Sequence, residues 1–210
     1  MPFVAFDVTL HTMTQQPFNH TAWKENVILA DADYIDKVTF DLTVNFERII
    51  GRRIPKADMA KWMDCVALDG GLREGQHETQ VILTHSKDKK GMTHFLPSAF
   101  SGELDGKAFS DTLGEFQFCC VTAENFATEE ALFADILQML VDSADVKRLM
   151  VIPYAEQGIE LVRQVLRHAS PDKQITVFGM QPLAGGNFRQ EILGYSLMAA
   201  LGIRGDEIKC

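Results

Sequence analysis

From Phe116 to the end of the chain, short apolar runs alternate with amphipathic stretches of helical period, and this alternation admits few architectures. It predicts strands over 116–122, 148–153 and 174–179 and helices over 128–143, 157–169 and 188–201. Strands separated by helices pair in parallel, and a parallel sheet needs helices on both faces because neither face tolerates water. The expected fold is therefore an α/β three-layer sandwich around a mostly parallel sheet. Thr128, followed by Glu129 and Glu130, suits the start of the first helix. Asn187 with Gln190 three residues on reads as a capping box for the last, and Gly202 as its stop.

The N-terminal half adds strands and two helices. Phe3 to Leu10 and Val27 to Ala30 read as strands. Ile35, Val38, Leu42, Phe46 and Ile49 fall on one helical face, with Asp31 or Asp33 at its start and Gly51 at its end. Met59, Trp62, Met63 and Val66 mark a second helix, with Pro55 suited to its first position and an end near Asp69-Gly70-Gly71. Gln80 to Thr84 reads as a buried strand and Lys87 to Gly91 as an exposed loop, while residues 95–114 carry no clear pattern. No repeat or linker interrupts the 210 residues, so a single domain over 1–210 is expected.

Charge and cysteine usage narrow the function. Twenty-nine acidic against 20 basic residues give a net charge of −9, which disfavours generic nucleic-acid binding but not a site where acids hold a cation against a phosphate. No apolar stretch reaches the ~20 residues that span a bilayer, and the N-terminus lacks a signal-peptide pattern, so a cytoplasmic protein with no membrane partner is expected. Cys65, Cys119, Cys120 and Cys210 form no CxxC pair, and the adjacent two lie in an apolar run, which reads as core. His85 and His94 flank one charged loop and read as solvated, being too few for a catalytic zinc.

In a parallel sheet, ligands bind beyond the carboxyl ends of the strands. The loops there carry Tyr154, Glu156 and Gln157, then Gln181, Gly185, Gly186 and Asn187. Gly185-Gly186-Asn187 entering a helix N-terminus would offer backbone N–H groups to an anion, although the full dinucleotide and P-loop patterns are absent. The other constellation is acidic. Asp31 and Asp33 follow the run Val27 to Ala30, Asp135 borders the apolar stripe of its helix, and Glu156 follows the strand ending at Ile152. Taken singly, these acids are caps or solvated residues; converged at the carboxyl edge, they would hold Mg²⁺ or Mn²⁺ and activate a water.

The stretches Gly114 to Phe118, Glu130 to Leu137, Arg148 to Ile152 and Gln174 to Gly179, with Asn26 to Asp33 as the first strand, resemble the NYN domain of the PIN-like nuclease superfamily. The resemblance implies a divalent-metal-dependent ribonuclease acting on RNA, with Asp31, Asp33, Asp135 and Glu156 as catalytic candidates and Asp31, Asp135 and Glu156 as metal ligands. The family carries a Ser-Gly-Asp-x-Asp motif where this chain has Pro153-Tyr154-Ala155-Glu156-Gln157, so the resemblance extends equally to a degenerate, non-catalytic relative. The alternative is a non-catalytic interaction protein or small-ligand binder on the same sheet.

Overall fold

The computed structural model describes residues 4–5, 22–123 and 128–208. The predicted strand over 3–10 is described only at β1 (Val4–Ala5); its remaining residues, and Cys210, lie outside the described residues.

The central strand is β2 (Asn26–Asp31), five of whose six residues are buried, as a strand covered on both faces requires. It pairs in parallel with β4 (His77–His85) on one side and with β8 (Arg148–Ile152) on the other. Beyond β4 come β7 (Gly114–Thr122), parallel, and then β6 (Lys107–Asp111) and β1, both antiparallel. Beyond β8 come β9 (Gln174–Gly179) and β10 (Arg189–Ile192), both parallel. Numbered along the chain, the six parallel strands lie in the order 3-2-1-4-5-6, that of a doubly wound sheet.

Alternation along each strand splits the core in two. Ile28, Ala30, Met150 and Ile152 face α1 (Ala32–Ile50), α2 (Met59–Asp69) and α5 (Leu193–Ala200). Val27, Leu29, Leu149 and Val151 face α3 (Glu129–Asp142) and α4 (Ala155–Leu166). The result is the expected three-layer α/β sandwich. No helix among the described residues is long and apolar enough to cross a membrane.

Local signals set α1 at both ends. The Asp31 side chain accepts a hydrogen bond from the backbone N–H of Tyr34 at 2.9 Å, and Gly51 at φ +74° donates to Glu47 O. Pro55 does not open α2; Asp58 caps it, its carboxylate accepting from Lys61 N. Residues 95–114 resolve into β5 (Phe95–Leu96), which pairs with β3 (Ala57–Asp58), an irregular turn around Phe100–Leu104, and β6.

The predicted helix over 188–201 is corrected by the structure. Its first residues form β10, and only Leu193–Ala200 is helical. β9 presents an open row of backbone groups, and pairing with them outweighs the helical preference of Arg189-Gln190-Glu191. Gln190 therefore makes no capping box; its side-chain amide accepts from Leu183 N and donates to Leu183 O. Gly202, at φ +67°, does end α5: its N–H reaches Ala199 O and that of Ile203 reaches Met198 O, a Schellman closure. Nor is His85 solvated, since it is 9% exposed and stacks on Phe100 at 3.7 Å, while His94 Nδ1 sits 3.1 Å from Asp36 Oδ1. Cys119 and Cys120 are half-buried, packed against opposite clusters of the core.

Candidate functional site at the carboxyl edge

A doubly wound sheet opens a crevice where neighbouring strands send their helices to opposite faces. Here these strands are β2, followed by α1 on one face, and β8, followed by α4 on the other. A recess lies at their carboxyl ends, lined by Asp31, Glu130, Phe133, Ala134, Pro153, Tyr154, Gly158, Leu161 and Val162. Its enclosed space, ≈ 20 Å³, admits one water-sized group, and it widens to ≈ 280 Å³ with its open mouth.

Asp31 supplies the polar end. Burial pushes its carboxyl up to about 6; the hydrogen bond from Tyr34 N opposes this, while the charges of Asp33 and Glu129 add to it. Burial, Asp33 and Glu130 likewise push Glu129 up. Asp33 accepts from the N–H of Ser86 at 2.9 Å, which ties α1 to the end of β4, and pairs with Lys89 at 3.3 Å. An aromatic clasp closes the other side. Tyr34 stacks on Tyr154 with centroids 4.9 Å apart, and its hydroxyl donates to Glu156 Oε1 at 3.3 Å. Lys37 Nζ donates to the Tyr154 hydroxyl at 3.4 Å.

Of the acids predicted from sequence, Asp31 alone lines the recess; Asp33 acts on it through its charge, and Glu156, outside the lining, accepts from Tyr34. Asp135 is exposed on α3 and does not line the recess. It follows Glu129 by six residues, about 9 Å further down the helix and away from the edge. Among the described residues, no group of three or more His, Cys, Asp or Glu is arranged to hold a metal ion, so Asp31, Asp135 and Glu156 do not stand as a ready ligand set. The anion site at Gly185, Gly186 and Asn187 loses its basis, because β10 rather than a helix follows it; Gly185 and Gly186 turn the chain at positive φ, and Asn187 Nδ2 donates to Leu166 O.

Glu129 and Glu130 were legible only as cap-region acids. A helix that follows a parallel strand starts at the carboxyl edge, so acids in its first turn belong to that edge, and this signal was in the sequence. The Tyr34 clasp carried no such signal. A second acidic feature has no signature in the sequence: Asp64 on α2 is pushed up to about 8, first by burial and then by its hydrogen bond with Asp111, and lines an open hollow of ≈ 530 Å³ with Lys56, Asp58, Lys61 and Leu96.

Fold and site together define a doubly wound α/β protein with an acid-anchored crevice at its switch point. The chain belongs to the family of unknown function DUF6621, which matches residues 20–208. No curated protein and no solved structure matches it.

Proposed function

We propose that this protein binds a small ligand at the crevice between β2 and β8, and that the ligand inserts a hydrogen-bond-donating or cationic head group into the recess at Asp31. The observation that carries this reading is the Asp31 carboxyl, largely buried at the end of the central strand and facing a space bounded by Phe133, Tyr154 and Val162. A buried carboxyl near a small void is best satisfied by a donor, and the apolar walls and aromatic rings favour a compact organic cation over a hydrated one.

Ligand-observed NMR with ethylammonium, ethanol and acetate at pH 8 tests it. Ethylammonium is expected to bind best, and Asp31→Asn to weaken it. Gly158 lines the recess and has open space around a Cβ, so Gly158→Leu is expected to block the site without unfolding the helix. The reading fails if neither ethylammonium nor ethanol binds, if acetate binds best of the three, or if binding survives both substitutions.

A second reading is the PIN-like one: a divalent cation at this edge and action on RNA phosphodiesters, or descent from such an enzyme. It is favoured by the position of Asp31 on the first strand of the 3-2-1-4-5-6 order, with Asp33 and Glu129 near enough to raise it. The residues that would hold Mg²⁺ or Mn²⁺ are Asp31, Asp33 and Glu129, after their side chains turn toward one point. The ion would supply charge neutralisation and a more acidic water. Thermal stabilisation by Mn²⁺ and Mn²⁺-dependent cleavage of a labelled RNA, both lost in Asp31→Asn, would support it; the absence of both ends it.

A further inference from the structure

At the opposite, amino edge of the sheet, the segment Leu68-Asp69-Gly70-Gly71-Leu72-Arg73 ends α2 beneath three arginines. Arg73 Nη1 donates to Leu68 O and Leu72 O, Arg148 Nη1 to Gly70 O, and Arg189 Nη2 to Asp69 O. Gly71, at φ +91°, permits the approach: a Cβ there would lie 2.8 Å from Arg148 Nη1 and 3.3 Å from Arg189 Nη1, so the two nitrogens are within about 6 Å of each other.

Capping a helix C-terminus accounts for one guanidinium readily, but not for three that repel one another. Burial, and then the charges of Arg189 and Arg73, lower the pKa of Arg148, and its Nε is buried without a partner among the described residues. The carboxylates nearby are Glu191, Asp69 and Glu25. Glu191 is engaged by Arg189 at 3.2 Å, burial pushes Asp69 up, and Glu25 acts on Arg148 only at a distance. Among the described residues, neither Arg73 nor Arg148 has a carboxylate in an ion pair.

We propose that Arg73, Arg148 and Arg189 form an oxyanion site that takes a phosphoryl group at the amino edge of the sheet. Arginine suits this role because its planar fork meets two phosphate oxygens at once while its other nitrogens hold the backbone. The site is separate from the Asp31 crevice and does not depend on the function proposed for it.

The test is thermal unfolding in sodium phosphate against sodium chloride at equal ionic strength and pH, for the native chain and for Arg73→Gln/Arg189→Gln. Phosphate is expected to raise Tm by about 3 °C or more over chloride in the native chain, and the double variant to lose most of that difference. The general stabilising effect of phosphate on proteins is common to both chains and cancels in the comparison. A native chain that does not distinguish phosphate from chloride, or a double variant that keeps the full difference, overturns the proposal. If the glutamine variant does not fold, Arg73→Lys/Arg189→Lys keeps the charge but removes the fork; a shift reduced by half or more supports the site, and an unchanged shift overturns it.

Discussion

The hydroxyl of Tyr34 on α1 reaches Glu156 on α4, 3.3 Å away, across the mouth of the crevice. The two helices lie on opposite faces of the sheet, so this bond and the stacking of Tyr34 on Tyr154 tie the outer layers together at one end. Burial, and then the neighbouring Glu156 charge, hold the Tyr34 hydroxyl in its protonated, donating form.

Tyr34→Phe removes the bond and keeps the stacked ring. Urea unfolding should show a loss of about 0.5–1.5 kcal/mol. Glu156→Gln retains an acceptor and should cost less. A Tyr34→Phe variant as stable as the native chain would show that the bond contributes nothing.

Asp31 makes stability depend on pH. Its carboxyl is raised to about 6 in the folded chain, so between pH 4 and 6 the folded state binds more protons than the unfolded one. Stability should therefore fall as pH rises through that window, by an amount of the order of 2–3 kcal/mol from this group. Asp31→Asn keeps a capping acceptor for Tyr34 N and removes the charge. The variant is expected to be at least as stable as the native chain at pH 7, with a flatter profile from pH 4 to 6, measured by denaturant titration at each pH.

Asp64 extends the same trend to higher pH. Its folded value of about 8 places a further loss of stability between pH 4 and 8 as its proton, shared in a bond with Asp111, is removed. Asp64→Asn should flatten the part of the profile above pH 6 that Asp31→Asn leaves. A profile unchanged in that range would contradict the assignment.

Glu207 acts with the opposite sign. Arg52 donates to both of its oxygens, at 2.8 and 2.9 Å, and holds the carboxyl down to about 2. This contribution is present above the ordinary glutamate range and is lost as pH falls from about 4.5 toward 2. Arg52→Gln should therefore lower stability at pH 7 and leave it little changed near pH 2, as followed by denaturant titration with circular dichroism at each pH.

Gly114 opens β7 at φ +113°, and a Cβ there would lie 2.1 Å from His77 O in the paired strand. Gly114→Ala must move backbone against backbone and should cost at least about 3 kcal/mol, read as a lowered denaturation midpoint. Gly51→Ala, with open space around its Cβ, should cost about 1 kcal/mol, from the αL conformation alone.

The elements legible in the sequence were those whose ends are decided locally. Asp31 and Gly51 bound α1 through contacts three and four residues away, and Thr128 caps α3 in the same way. β10 was not legible, because Arg189-Gln190-Glu191-Ile192 is a strand only in the presence of the β9 edge. The candidate site divides along the same line. Asp31 stands at the end of an apolar run, whereas Glu129 acts on it and Glu130 lines its recess only once β7 sets α3 beside β2, and Tyr34 meets Tyr154 and Glu156 only once β8 sets α4 there. The helical phase of Asp135 points it toward a cleft but says nothing of its depth along the axis.

What the sequence determined by itself is the succession of strands and helices, their caps and the alternation that buries both faces of the sheet, since these depend on neighbours a few residues apart. Which carboxyls meet, which arginines crowd the end of α2, and which group holds its proton near neutral pH were decided by the tertiary structure alone. Desolvation and Coulomb forces act through distances in space, and the order 3-2-1-4-5-6 brings together residues that the chain keeps far apart.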